Sequence, residues 1–200
     1  MTQRDSRELD YWAQRFESAS QAPTTLRPVT SPEDVCEQYR GTPIEALLLA
    51  QNLGQDLECP RAPDLIIATC IDPRIDLRVP IGRAYVIRTA GVNLKNHAVF
   101  PFAYLTAVLG IRHVALIAHD DCAMVGLCAR RQEFIERLAE RPGCHGPSAG
   151  MFFDRYADFW NVPDAIAVVR NHAPDIVHRC GGAVVVAPLL YTVCDGRLLP

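Results

Sequence analysis

Two apolar runs limit the architectures open to this chain. Asp64-Leu-Ile-Ile-Ala-Thr-Cys70 and His113-Val-Ala-Leu-Ile-Ala118 are continuous rather than alternating. A strand with one wet face alternates polar and apolar residues. A continuous run needs both faces covered, as in a parallel sheet between layers of helices. Ala84–Arg88 and Gly182–Val193 supply further strands, and Asp195-Gly196 is a tight-turn signal. Helical patterns lie between them. Thr42-Pro43 is a cap and first-turn proline that opens a helix with Ile44, Leu47 and Leu48, closed by Gly54. Ala98–Leu109 is a helix ended by Gly110. Met124–Glu140 reads as an amphipathic helix stopped by Pro142-Gly143. Pro163–Arg170 opens another, which Pro174 breaks or kinks. Strands alternating with helices predict an α/β domain with a mainly parallel sheet flanked by helices.

At 200 residues the chain suits one domain, or one domain with an added arm. Leu9, Trp12, Ala13 and Phe16 recur at helical spacing within residues 7–17, and Gln21–Glu33 is rich in Pro, Thr and Ser. The expected division is therefore a helical arm and linker over 1–40 and an α/β domain over 41–200. There is no internal repeat. A formal net charge of −3 argues against generic nucleic-acid binding through a basic face. The longest stretches without Asp, Glu, Lys or Arg, Cys180–Cys194 and His97–Ile111, are short for a bilayer span and carry prolines. The polar N-terminal residues lack the apolar segment of a signal peptide, so a cytoplasmic protein is expected. In that compartment the eight cysteines should be reduced, which makes metal binding or catalysis the expected role of any outside the core.

Ligands in open parallel sheets sit beyond the carboxyl ends of the strands. The ends of these strands carry chemistry. Cys70 ends the first buried strand and precedes Asp72 and Arg74. Arg88 ends the second, and His119 ends the third, followed by Asp120, Asp121 and Cys122. Topology thus gathers two thiols, an imidazole, an aspartate and an arginine at one sheet edge. Two Cys and one His suit zinc, and three protein ligands leave a fourth position for water, as in catalytic zinc sites. Asp72 either fills that position or turns away to pair with Arg74. Cys36, Cys59, Cys128, Cys180 and Cys194 read as core or surface thiols. Cys144-His145 sits in a Pro/Gly-rich segment with no second pair nearby, and His97 is the one other histidine considered as a proton shuttle.

The order and spacing of these residues resemble the β-class carbonic anhydrases. Cys70-Ile-Asp72-Pro-Arg74 is similar to the family's Cys-x-Asp-Ser-Arg, Arg88-Thr-Ala90-Gly91 to Arg-Asn-Ala-Gly, and His119-Asp-Asp-Cys122 to His-x-x-Cys. The closing Leu190–Leu198 segment also resembles that family, and the likeness runs over about residues 40–198. The resemblance implies one zinc ion per chain held by Cys70, His119 and Cys122, with Asp72 and Arg74 as a catalytic dyad. It implies reversible hydration of carbon dioxide to bicarbonate by a zinc-bound hydroxide. It also implies a homodimer or higher homo-oligomer, with residues 7–17 suited to an arm on the partner subunit. Two alternatives remain open at this stage: a carbonyl sulfide or carbon disulfide hydrolase on the same scaffold, or an inactive zinc-binding homologue. Pro73, Thr89 and Ala123 stand where Ser, Asn and Gly are usual, and Arg61 stands where many members carry Gln. Each departure spares the metal donors and touches the substrate side.

Overall fold

A computed structural model describes residues 26–200. The helix expected over 7–17 lies outside the described residues. Five strands form one sheet: β1 (Leu65–Thr69), β2 (Ala84–Arg88), β3 (His113–His119), β4 (Val185–Tyr191) and β5 (Leu198–Leu199), in the order β2-β1-β3-β4-β5. The first four are mutually parallel, and only the short β5 runs antiparallel, against β4. Every residue of β1 is buried, as is β3 after His113. The continuous apolar runs thus occupy the centre of the sheet, where helices cover both faces. β2 is an edge strand and leaves Tyr85 and Val86 exposed.

The helices are α1 (Pro43–Leu53), α2 (Phe100–Leu109), α3 (Arg131–Ala139), α4 (Gly146–Trp160) and α5 (Ala165–Arg179). α1 starts and stops where its sequence signals lie. Thr42 Oγ1 accepts from the Ile44 N–H at 3.2 Å, and Gly54 closes the helix in the left-handed region, a conformation that costs a side chain-free residue little. Ile44, Leu47 and Leu48 face the core. Asn52, at the end of α1, exchanges two 2.7 Å hydrogen bonds with the Leu198 backbone and so pins β5 to the body. No helix among the described residues is long and apolar enough to cross a membrane.

The structure differs from the sequence pattern in three places. The helix expected over Met124–Glu140 starts late: Gly126 adopts a left-handed φ of 64°, a 3-10 turn follows over Leu127–Arg130, and α3 begins only at Arg131. Val125 is instead drawn into a parallel bridge with Val162. α4 was not anticipated, because its first residues, Gly146-Pro-Ser-Ala-Gly150, read as a loop. Pro147 in fact occupies the first turn, where its missing N–H costs nothing. α5 runs through Pro174 to Arg179, with Asp164 Oδ1 capping it through the Ala167 N–H at 2.8 Å.

The strand order creates the place where a site can form. From β1 the chain moves to β2 on one side; β3 then lies on the other side of β1 and connects onward to β4. The loops leaving β1 and β3 therefore diverge, and a crevice opens between their carboxyl ends. Cys70 and His119 stand at its two lips.

Candidate metal centre

The crevice brings together three of the residues singled out in the sequence. Donor atoms of Cys70, His119 and Cys122 all lie within 4.8 Å of one another, and all three residues are buried. This is the one such cluster of three or more among the described residues. The register explains the convergence. Thr69 pairs with Arg88 on one side and Ile117 on the other, so the residues just beyond it meet the end of β3. A tight turn then carries the chain from His119 to Cys122. Asp120 anchors that turn: its N–H donates to the Tyr191 carbonyl at 3.1 Å, and its Oδ1 accepts from the Val193 N–H at 2.7 Å.

The donors fit a soft or borderline divalent ion. The Cys70 and Cys122 sulfurs are 4.0 Å apart. Two thiolates in a tetrahedral zinc site, each about 2.3 Å from the ion, stand about 3.8 Å apart. His119 is 1% exposed, and neither ring nitrogen has a protein hydrogen-bond partner. A buried imidazole with both nitrogens unsatisfied is costly unless something absent from the protein itself fills one of them. Between the sulfurs, contact with Cys122 pulls Cys70 down from the ordinary thiol range. The same contact, together with burial, pushes Cys122 up. A metal bound by both sulfurs would displace their protons. The Gly91 N–H also donates to the Cys70 sulfur at 3.3 Å, which favours the thiolate.

Asp72 and Arg74 form the pair expected of them. Arg74 grips the carboxylate with both edges of its fork: Nε donates to Oδ1 at 3.0 Å and Nη2 to Oδ2 at 2.8 Å. The Arg74 backbone N–H adds a third bond to Oδ1 at 2.9 Å. These bonds hold Asp72 well below the usual carboxylate range and raise Arg74 further. Pro73 between them costs no hydrogen bond here, because the turn uses the N–H of residue 74. Asp72 Oδ2 lies 4.0 Å from His119 Nε2, beside the donor cluster but turned to the arginine.

Arg88 was placed at the strand end by sequence, and its task becomes visible in three dimensions. Its Nη1 donates to the carbonyls of Cys70 and Asp72 at 3.2 and 3.3 Å, and its Nη2 to that of Ile75 at 3.2 Å. One guanidinium thus shapes the whole Cys70–Ile75 loop. Two further residues were missed in the sequence as participants: Gly91, through its N–H to sulfur, and Asp121, whose Oδ2 accepts from Arg74 Nη1 at 2.7 Å. The Arg-x-Ala-Gly pattern was a signal for the first; nothing local signalled the second. Of the departures noted above, Thr89 donates its N–H to the Thr69 carbonyl, while its hydroxyl is buried without a protein partner. The Ala123 carbonyl accepts from Arg130 Nη2. Cys144 and His145 join no cluster among the described residues. The His97 side chain lies outside the described set.

No protein-family model matches the chain. Over 73 residues it is 33% identical to β-carbonic anhydrase 1 of Mycobacterium bovis and of Mycobacterium tuberculosis. The matched stretch is 34% of this chain and 45% of each relative, so the chain spans less than half the length of the curated relatives it matches. Among solved structures it is similar to β-carbonic anhydrase isoform I of Trichomonas vaginalis, with a TM-score of 0.57 and 18% identity over 75% of this chain and 89% of that one. The carbonic anhydrase of Streptococcus mutans gives a TM-score of 0.53 and 20% identity over 82% and 98%. The apo form of a carbon disulfide hydrolase gives 0.51 and 18% over 78% and 84%. At these identities the structural likeness is one of fold.

Proposed function

We propose that the chain is a β-class carbonic anhydrase that catalyses the reversible hydration of carbon dioxide to bicarbonate with one zinc ion per chain, a reading supported by the partial likeness to the mycobacterial relatives and by the shared fold. The observation that carries this reading is the convergence of the Cys70, His119 and Cys122 donors within 4.8 Å, beside a carboxylate turned elsewhere. Zinc in a three-donor site lowers the pKa of a water in its fourth position to about 7 and so supplies a nucleophile near neutrality.

The chain's own residues then do the following. Cys70, His119 and Cys122 would hold the ion. Asp72 stays ionised because Arg74 grips it, so Oδ2 acts only as an acceptor. From that position it takes a hydrogen bond from the reacting water and turns the free lone pair toward the substrate carbon. Arg74 is always charged and acts through Asp72. Val92, Ala118, Val162 and Ala165 wall the inner side of the centre with apolar groups, which suits a small, linear, uncharged substrate. Eight free thiols suit the reducing cytoplasm as its setting. Exposed Phe100, Tyr104, Val108, Met151 and Phe152 support a homo-oligomer.

A set of measurements on the purified protein tests the reading. Elemental analysis of purified protein is expected to find one zinc per chain. Stopped-flow assay is expected to find carbon dioxide hydration that Cys122→Ala abolishes, and sizing is expected to return at least two chains. Absence of metal would overturn the proposal, as would zinc without hydration. Sulfide release from carbon disulfide or carbonyl sulfide without comparable hydration transfers the chain to the hydrolase reading.

A further inference from the structure

Arg74 is gripped from two sides. Its Nε and Nη2 take Asp72, while Nη1 donates to Asp121 Oδ2 at 2.7 Å and Nη2 also donates to the Asp121 carbonyl at 3.0 Å. A guanidinium has five N–H groups in a rigid fork, so these contacts use separate hydrogens and do not compete. The two carboxylates come from different loops. Asp72 follows β1, and Asp121 sits within the His119–Cys122 turn. Arg74 therefore clips the two lips of the crevice together.

Asp121 is held in an unusual conformation to do this. Its φ is 52°, in the left-handed region that non-glycine residues rarely adopt. Such strain persists where the surroundings over-determine it, and it concentrates at functional sites. In this conformation both the side-chain oxygen and the backbone carbonyl of Asp121 meet the arginine.

The clip has a consequence for the metal centre. Asp72 Oδ2 stands only 4.0 Å from His119 Nε2. A carboxylate is a competent zinc ligand, so a small rotation of Asp72 would make it the fourth donor. Arg74 opposes that rotation, but its side chain is 43% exposed and carries a long flexible stem. Its own placement needs a support, and Asp121 supplies one.

We propose that Asp121 is a positioning residue: it fixes Arg74, and through Arg74 it holds the Asp72 carboxylate off the position framed by Cys70, His119 and Cys122. This rests on the metal-site reading above and adds to it the residue that keeps the fourth position accessible. At 80% exposure the Asp121 side chain contributes little to folding stability. Its effect lies in which oxygen faces the metal.

The test uses the full chain loaded with cobalt(II) in place of zinc, titrated with thiocyanate and followed by the visible absorption of the cobalt. An accessible fourth position admits the anion and changes the spectrum; a position closed by Asp72 does not. Asp121→Asn keeps the shape and tolerates the left-handed φ, but it loses the charge. It is expected to bind cobalt as the parent does and thiocyanate about twofold to fivefold more weakly, a size that suits an exposed ion pair. The direction discriminates: removing a negative charge near the metal should by simple electrostatics strengthen anion binding. Adding Asp72→Asn to Asp121→Asn is expected to restore the response seen with Asp72→Asn alone. An unchanged or strengthened response in Asp121→Asn overturns the proposal, and so does a loss that survives in the double variant. A chain that shows the Asp121 effect yet hydrates no carbon dioxide keeps this inference and loses the functional one. A chain that takes up no cobalt loses both.

Discussion

Gly91 shows how much a single position does at this centre. Its N–H points to the Cys70 sulfur, and its φ is 62°. A Cβ built there would stand 2.6 Å from Val162 Cγ2 and 3.0 Å from Met124 Cβ. Gly110 has a similar φ of 70° but meets nothing within 4 Å. The two glycines therefore separate backbone strain from crowding. Gly110→Ala is expected to cost about 1 to 2 kcal/mol, the strain alone. Gly91→Ala should cost about 1 to 3 kcal/mol more through overpacking and also lower the metal content. Urea unfolding with metal analysis of both variants checks this; equal losses would show that the crowding relaxes freely. At this scale the sequence was legible where chemistry is intrinsic to the residue type. Thiols, an imidazole and a carboxylate–arginine pair announce themselves. The Arg74–Asp121 contact spans 47 positions and depends on the path of two loops, so no local pattern carried it.

Among the elements, the edge strand β2 supports the candidate centre without contributing to the Cys70, His119 and Cys122 cluster. Its last residue, Arg88, reaches across to three carbonyls of the Cys70–Ile75 loop. A lysine has a single ammonium head and cannot span them. Arg88→Lys is thus expected to keep the fold and weaken metal affinity about tenfold to a hundredfold, the usual size of a lost supporting contact around a metal site. Competition with a chromophoric chelator measures this, and parental affinity in the variant would refute the supporting role. The elements themselves were partly readable. β1 and β3 follow from unbroken apolar runs, and α1 from its cap and closing glycine. The segment after Cys122 was not. Its amphipathic pattern outran the helix because Gly126 turns left-handed and Val125 pairs with Val162, a partner unknowable without the fold. α4 was hidden behind a Gly/Pro start that resembles a loop.

Taken as a whole, the molecule carries a buried histidine away from the metal centre that sets a pH dependence of stability. His172 is 2% exposed, and its Nε2 accepts from the Leu94 N–H at 3.3 Å. Burial, with the charge of Lys95, lowers it to about 4, against the opposing pull of Asp175. The unfolded chain binds this proton near pH 6.5 and the folded chain only near 4, so the unfolded state holds more protons in between. Stability is therefore full above the upper value and falls as pH drops through the window, by on the order of 3 kcal/mol. His172→Gln keeps an acceptor but does not titrate. Denaturant unfolding from pH 7 to 4, at matched metal loading, should show a flatter slope for the variant; parallel slopes would sink the assignment. The sequence by itself determined the layered α/β class, the central strands and which residue types meet in the candidate metal cluster, because burial on both faces and ligand chemistry are written residue by residue. Tertiary structure alone decided that β1 and β3 are neighbours whose loops part. It also decided that Asp72 turns to Arg74, and that Arg88, Gly91 and Asp121 stand behind them. Those outcomes depend on strand order and loop paths, which arise from contacts between residues far apart in the chain.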